Sequence, residues 1–235
     1  ASLPGGWVAD RWLGLQRSIW YGGIFIALGH LSIALSALLE QSAFFLGLVL
    51  IVVGTGLLKP NISALVGDLY PEGGARRDAG FSIFYMGINT GAFIAPLITG
   101  YLGERVGWHW GFGAAGVGML AGVITYRARI GKTLGPLGVL PSSGPEEQQR
   151  VKRWSLASLA AVFGVVILAM LGVIHINPVA VAERMSLIMA TMGLAHFAYL
   201  FLFAGLTGDE KKRMAVILVL CLASIVFWAA FEQAP

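Results

Sequence analysis

A single lysine, Lys59, lies near the middle of an apolar stretch that runs from residue 43 to residue 69. In a helix that rises 1.5 Å per residue, it would lie about 24 Å from Ala43 and about 17 Å from Tyr70, whereas a lysine side chain reaches only about 6 Å. Simple snorkelling to either interface is therefore difficult. Because an ammonium group is costly in hydrocarbon, we expect Lys59 to face a protein interior or a watery cavity, where it can bind an anion.

Pro60 follows this lysine directly and affects the backbone around it. Proline lacks a backbone donor and disfavours helical geometry at the residue before it, so we expect freed carbonyl groups in the preceding turn. In a membrane these carbonyls need partners, and we expect them to face a cavity. A kinked, cationic and water-accessible helix centre is a candidate anion-binding position.

Two further polar side chains lie within apolar segments. Glu232 lies well along the last segment, and a carboxylate buried near a cation can be poised to bind and release a proton. An interfacial position is the alternative for Glu232, because Pro235 follows closely. Asn89 offers two donors and an acceptor, and it can contact either a ligand or a neighbouring helix.

Other reactive groups are sparse. No set of side chains has metal-ligand spacing, and no nucleophile is paired with a base, so we expect neither a metal site nor an enzyme. The four histidines are assigned structural or interfacial roles, although His30 lies deep enough in a span to relay protons. The single cysteine, Cys221, excludes an internal disulfide.

The elements that carry these residues are predicted to be membrane helices. Hydrophobic residues make up 57% of the chain and only 12% of residues are charged, against roughly 25% in soluble domains. The mean hydropathy is +0.78. Segments long enough to span a bilayer recur seven times. They are residues 18–39, 43–69, 79–102, 108–126, 154–176, 185–206 and 214–235.

The basic residues are distributed unevenly, which predicts the orientation. If the segments alternate across the membrane, 13 of the 16 basic residues lie on one side, with Arg105 and Arg184 on the other. Short loops rich in Lys and Arg stay on the cytoplasmic side, so the side with 13 is predicted to be cytoplasmic. Membrane topology thereby explains the net charge of +4, and no nucleic-acid partner is expected.

The longest polar stretch, residues 127–153, is rich in Gly, Pro and Ser and predicts a cytoplasmic loop or surface linker. It separates four predicted helices from three. Before it, the pair Gly87 and Gly91 and the pair Gly118 and Gly122 have the small-xxx-small spacing. We expect these glycines to pack helices closely, and hinge positions are the alternative.

Four motifs, in order along the chain, carry a resemblance to a known family. They are residues 5–14 (GGWVADRWLG), residues 54–63 (GTGLLKPNIS), residues 81–93 and the closing Phe227-Trp228 with Phe231-Glu232-Gln233. Together they resemble the proton-dependent oligopeptide transporter (POT/PTR) family of the major facilitator superfamily, in its bacterial form. The superfamily has a Gly-x-x-x-Asp-Arg motif between helices two and three, and the structural motif residues here are Gly6, Asp10, Arg11 and, after the lysine, Pro60.

This resemblance implies an all-α, polytopic membrane protein, with part of a major facilitator bundle and two inserted helices. Residues 1–17 then form the cytoplasmic loop after helix two, and residues 18–126 form helices three to six. Residues 127–153 form a cytoplasmic loop, and residues 154–206 form the two inserted transmembrane helices. Residues 207–235 begin the C-terminal bundle with helix seven.

The resemblance also implies a substrate site within the membrane. Lys59 matches a helix-four lysine implicated in peptide binding and proton coupling, and Asn89 matches a helix-five asparagine that contacts the peptide. Trp228 and Glu232 match a helix-seven pair that lines the site and supplies a protonatable carboxylate. An ammonium, an amide and an aromatic wall together suit a zwitterionic peptide with varied side chains.

The implied function is proton-coupled symport of di- and tripeptides across the inner (plasma) membrane by alternating access. The expected partners are the peptide, protons and the lipid bilayer; protons are the coupling ion, and no other cofactor or protein partner is expected. A proton-coupled transporter of nitrate or another small anion is one alternative, because it would also use Lys59. A non-transporting half-transporter scaffold is the other.

Some features of the family pattern are missing. The Glu-x-x-Glu-Arg motif of the first helix and most of the C-terminal bundle are absent, and Phe231 stands where some members have an acidic residue. We therefore expect the chain to be roughly half of a larger protein and unable to transport alone.

Overall fold

A computed structural model describes residues 2–139, 141, 143–174 and 177–231, and it divides the chain into two compact units. The units are Ala1–Ile174 and His175–Pro235. Within the described residues, the first unit consists of α1 (Ser2–Val8), a π-helical turn (Ala9–Leu13), α2 (Leu15–Asp68), α3 (Gly74–Arg105), α4 (Trp108–Thr133) and α5 (Pro145–Met170). The second unit consists of α6 (Pro178–Leu202) and α7 (Gly208–Phe231).

Among these described residues, six helical segments are long and apolar enough to cross a membrane, and they match six of the seven predicted spans. They are Leu15–Leu39, Ser42–Asp68, Gly74–Arg105, Pro145–Met170, Glu183–Leu202 and Gly208–Phe231. The remaining prediction, residues 108–126, falls in α4. This helix has 26 residues, but six glycines and a basic final part lower its hydropathy, so composition alone does not mark it as a span.

Helix α2 folds back on itself as two antiparallel arms, and the arms meet at glycine. We call Leu15–Leu39 the first arm and Ser42–Asp68 the second arm. A β-carbon on Gly22 would lie 2.7 Å from the carbonyl oxygen of Gly54, and one on Gly29 would lie 2.7 Å from that of Gly47. Only hydrogen fits at these four positions, which together form the glycine seam.

Isoleucine side chains fill the notches that the glycine seam leaves. The Cγ1 atom of Ile51 lies 2.6 Å from the β-carbon position of Gly29, and that of Ile26 lies 2.7 Å from the β-carbon position of Gly54. Ile26 is only 6% exposed, so the two arms interlock through apolar contact as well as backbone contact.

Helix α4 packs antiparallel on the first arm. Val123 contacts Gly23, and a β-carbon on Gly116 would lie 3.3 Å from the β-carbon of His30. Gly116 and Val123 are buried and lie seven residues apart, which places them on one face of the helix. The first arm therefore lies between the second arm and α4.

The predicted packing role of four other glycines is wrong for this unit. Apart from the backbone of its own helix and its chain neighbours, no atom of the described residues lies within 4 Å of a β-carbon built on Gly87, Gly91, Gly118 or Gly122. Helix α3 instead contacts its neighbours near its ends, and the stretch 85–98 is exposed throughout. The small-xxx-small spacing is local, whereas close packing depends on which face of the helix a neighbour covers.

The N-terminal residues are more ordered than the loop predicted for 1–17. Helix α1 is followed by the π-helical turn, and Gly14, at a φ of +77°, leads into α2. Helix α1 packs on the second arm, where a β-carbon on Gly5 would collide with the carbonyl of Gly56. Most of the segment predicted as a cytoplasmic loop is therefore helical, and its cytoplasmic position stays a prediction.

Helices also extend into both ends of the predicted loop over 127–153, since α4 continues to Thr133 and α5 begins at Pro145. Proline suits the first turn of a helix because its missing N–H would have no partner there. The short connection between these helices is fixed to the start of the first arm. The Gln16 side-chain amide donates to the carbonyls of Gly135 at 3.0 Å and Leu137 at 2.6 Å.

The second unit has a well-defined helix start. The backbone N–H and hydroxyl of Thr207 donate to the carboxylate of Glu210 at 2.8 and 2.7 Å, and the Glu210 N–H points back to the Thr207 hydroxyl at 3.4 Å. This reciprocal arrangement is a capping box, and it explains why α7 begins at Gly208.

Candidate functional site

Lys59 lies on the face of the second arm that points away from the packed interior. Its side chain is exposed, whereas Asn61 is only 2% exposed. Two residues are about 200° apart around a helix, so the Lys-Pro-Asn sequence places the cation outward and the amide inward. Within the described residues no hydrogen bond or ion pair holds the Lys59 ammonium, so it is available to a ligand.

The backbone carbonyl that Pro60 frees lies against a neighbouring helix. The helix runs unbroken through Pro60, and the carbonyl of Gly56, which loses its usual donor, faces Gly5 of α1. The Asn61 amide donates to the carbonyls of Leu57 at 2.6 Å and Gly5 at 3.3 Å. Helix α1 thus covers the backbone that Pro60 frees, and Asn61 bonds the second arm to α1. This role of Asn61 was not predicted from the sequence.

Asn89 is exposed in the middle of α3. Its side-chain N–H₂ donates to the carbonyl of Tyr85, one turn earlier, at 2.9 Å. Thr90 makes the same kind of bond to Met86 at 2.8 Å. These bonds leave the Asn89 carbonyl oxygen free to accept, and among the described residues none joins Asn89 to Lys59. The two predicted ligand-binding residues lie in the same unit. The Lys59 ammonium and the Asn89 carbonyl oxygen have no hydrogen-bond partner among the described residues.

Trp228 lies in the second unit, within an aromatic cluster on α7. Its ring meets Phe227 edge-on at 5.6 Å and Phe231 at 5.4 Å between centroids. Trp228 is 52% exposed, so this cluster presents an aromatic surface. Glu232 lies outside the described residues, and its predicted role in proton coupling stays a prediction.

The motif residues near the N-terminus have a partner that sequence reasoning missed. The Arg11 guanidinium forms an ion pair with Glu147, in the first turn of α5. Gly6 of the same motif has open space around it, and the close backbone approach belongs to Gly5 instead. Glu147 belongs to a Pro-Glu-Glu sequence, which is typical of a helix start, but the sequence does not name Arg11 as its partner.

No group of three His, Cys, Asp or Glu residues in the described part of the chain is arranged to hold a metal ion. The chemistry that these helices offer is an unpaired ammonium, an amide and an aromatic surface, all on membrane-length helices. Such features indicate a polytopic membrane protein whose helices carry polar groups that a ligand can contact.

The chain belongs to the POT family, which it matches over residues 16–235. It is 48% identical over 242 residues to peptide transporter YePEPT of Yersinia enterocolitica, covering 100% of this chain and 47% of the relative. It is 38% identical over 237 residues to the di-/tripeptide transporter of Lactococcus lactis subsp. lactis, covering 99% and 47%. The chain thus spans about half the length of these relatives.

A solved structure agrees with this assignment. The crystal structure of a POT family transporter in complex with a thioalcohol-conjugated peptide superposes with a TM-score of 0.83 at 30% identity. The match covers 99% of this chain and 47% of that one. The predicted all-α membrane fold of the major facilitator type is confirmed.

Proposed function

We propose that the complete transporter containing this chain carries di- and tripeptides into the cell together with protons. The proposal depends on one observation above all: the Lys59 ammonium, unpaired among the described residues, lies within a membrane-length helix and on its exposed face. The names of the Yersinia and Lactococcus relatives, and the peptide bound in the solved POT structure, support the same substrate class.

The residues suit the chemistry of a short peptide. A dipeptide is a zwitterion, so its carboxylate needs a cation, and Lys59 provides one. Asn89 can accept from or donate to the peptide backbone. The aromatic surface around Trp228 can contact side chains of different shapes with little selectivity.

Glu232 is proposed as the proton carrier of the coupled reaction. A carboxylate that binds a cation when ionised releases it when protonated. Protonation of Glu232 therefore weakens its hold on a cationic partner and favours one gate of the alternating-access cycle. Protons are then the coupling ion, and the reaction needs no other cofactor.

The uncovered surface of α3 supports a larger assembly. Residues 85–98 are exposed on every side of the helix, including polar Asn89 and Thr90. We infer that a second helical bundle of the complete transporter covers this surface and closes the peptide site. The inner membrane is the proposed location, since the excess of basic residues follows the positive-inside rule.

The test is peptide-driven proton uptake in proteoliposomes of the complete transporter. Lys59→Ala and Glu232→Gln are each expected to abolish coupled uptake. The matched control is Lys132→Ala, which removes an exposed lysine near the end of α4 and is expected to leave uptake unchanged. Undiminished uptake in both site variants would contradict the proposal.

Competition experiments separate the substrate classes. If the substrate is a peptide, an unlabelled dipeptide blocks the uptake of a labelled dipeptide, whereas nitrate does not. Block by nitrate alone would support the small-anion transporter instead. The 235-residue chain reconstituted alone is expected to give no uptake, and a signal from it would contradict the need for a second bundle.

A further inference from the structure

The first turns of α5 form an open cavity that the peptide site does not include. Its volume is about 610 Å³, and six residues line it. They are Glu146, Gln149, Arg150, Arg153, Trp154 and Ala157. These positions recur at helical spacing and form a single stripe along α5, which we call the α5 stripe. Val151, on another side of the helix, is 1% exposed and packs inward, so the stripe faces outward.

The charged groups of the α5 stripe have no protein partner within the described residues. Neither Arg150 nor Arg153 makes a hydrogen bond or an ion pair there, and neither does Glu146. Arg150 and Arg153 are one helical turn apart, so both guanidinium groups can reach one anion. Arginine binds phosphate through paired N–H donors, which makes a phosphate group a fitting occupant.

The α5 stripe lies where the apolar part of the helix begins. Trp154 is 66% exposed, and Leu156, which follows closely, is 47% exposed. Tryptophan is enriched at the boundary between membrane and water, and apolar residues continue from here to the end of α5. The cavity therefore opens at the level of lipid headgroups.

The order of chemical groups along α5 matches the order within one class of lipid. From the helix start inward come a carboxylate (Glu146), two guanidinium groups (Arg150 and Arg153), an indole (Trp154) and then apolar side chains. From the membrane surface inward, an aminophospholipid presents an ammonium, a phosphate, a glycerol backbone and acyl chains. In this alignment, each charged group of the α5 stripe lies beside a lipid group of opposite charge.

We propose that the α5 stripe binds the headgroup of an aminophospholipid. The phosphate lies between Arg150 and Arg153, and the ammonium lies beside Glu146. The glycerol region contacts Trp154, and the acyl chains continue over Ala157. The site is independent of peptide transport and fixes α5 to the lipid that surrounds it.

The test measures lipid binding to the purified complete transporter by native mass spectrometry. The probes are palmitoyl-oleoyl phosphatidylethanolamine, phosphatidylglycerol and phosphatidylcholine at equal concentration. The unaltered transporter is expected to retain phosphatidylethanolamine in preference to the other two. Replacing both arginines (Arg150→Gln with Arg153→Gln) is expected to lower that binding about tenfold or more, because charge-assisted bonds are lost.

Two single variants make the test specific. Lys152→Gln removes an equal charge from the same helix but outside the α5 stripe, and binding is expected to stay within about twofold. Glu146→Gln is expected to remove the preference for phosphatidylethanolamine over phosphatidylglycerol. Circular dichroism on every variant checks that the helices remain folded.

Three results would overturn the proposal. One is an equal loss of binding in Lys152→Gln and in the double arginine variant, which would indicate general attraction to charge. Another is a preference of the unaltered transporter for phosphatidylglycerol, which would indicate an anionic lipid instead. The third is an unchanged lipid preference in Glu146→Gln, which would show that Glu146 does not recognise the lipid ammonium.

Discussion

The guanidinium of Arg11 forms an ion pair with the carboxylate of Glu147, and this pair joins two segments that lie 136 residues apart. A second contact lies beside it, because the Ser143 hydroxyl donates to the carbonyl of Arg11 at 2.5 Å. Gln148 in turn donates to the carbonyl of Ser143 at 2.8 Å. The start of α5 is thus fixed to the π-helical turn.

A double-mutant cycle measures the strength of this ion pair. The two side chains are 45% and 30% exposed, so water screens their attraction. We expect Arg11→Gln and Glu147→Gln to show a coupling free energy of about 0.5–1 kcal/mol in unfolding by denaturing detergent. The coupling is expected to shrink at high salt. Strictly additive effects would show that the pair contributes nothing.

The glycine seam predicts a sharp difference between glycines. Gly29→Ala adds a β-carbon 2.7 Å from the carbonyl oxygen of Gly47 and is expected to lower the free energy of unfolding by about 1–3 kcal/mol. Gly122→Ala adds the same group where no other described element lies within 4 Å, and it is expected to raise that energy by up to about 1 kcal/mol. Equal effects in the two variants would contradict the close approach of the arms.

Asn61 and Asn89 offer a second matched pair. Asn61→Ala leaves the carbonyl of Gly5 without its donor in a buried position, and we expect a loss of about 1–3 kcal/mol in the free energy of unfolding. Asn89→Ala removes only an exposed bond to the preceding turn, so its effect on stability is expected to stay below about 0.5 kcal/mol. In the complete transporter, we expect Asn89→Ala to lower the affinity for peptide more than Asn61→Ala does. A large loss of stability in Asn89→Ala would argue for a packing role.

The capping box at the start of α7 predicts a local effect in the second unit. Thr207→Ala removes the hydroxyl that bonds Glu210, and a lost N-cap typically costs about 1 kcal/mol of helix stability. We expect faster amide hydrogen exchange over the first turn of α7. Thr191→Ala, which removes an exposed hydroxyl within α6, is the control and is expected to leave exchange in α7 unchanged. Equal exchange rates in the two variants would contradict the cap.

Helix positions were predictable because the length of an apolar run is a local property. Six of the seven predicted spans are membrane-length helices, and only α4 departs in composition. The loops were less predictable, since the turn around Gly14 and the connection before Pro145 are held by contacts with distant segments. Side chains such as Gln16 bond across the fold, and nothing in their own neighbourhood indicates the partner.

The glycines show why packing was harder to predict than helices. The spacing of Gly87 and Gly91 suggested a packed face, yet that face is open. A better signal was present: Gly22 and Gly29 are seven residues apart on the first arm, as are Gly47 and Gly54 on the second. A matching period on two adjacent segments of one hairpin indicates a shared seam.

Lys59 was recognised because a charge in hydrocarbon has few explanations. Its surroundings were predicted less well, since the backbone freed by Pro60 lies against α1. A proline reveals which donor is missing, but the element that compensates depends on tertiary structure. The predicted partnership with Trp228 and Glu232 stays a prediction for the complete transporter.

The glycine seam also restricts how Lys59 can move. Isoleucines of each arm occupy notches over glycines of the other, so sliding one arm past the other would drive their side chains against backbone atoms. We therefore expect the two arms to move together as one rigid body, with Lys59 on the second arm. Any displacement of that ammonium during a transport cycle must carry the first arm and α4 along with it.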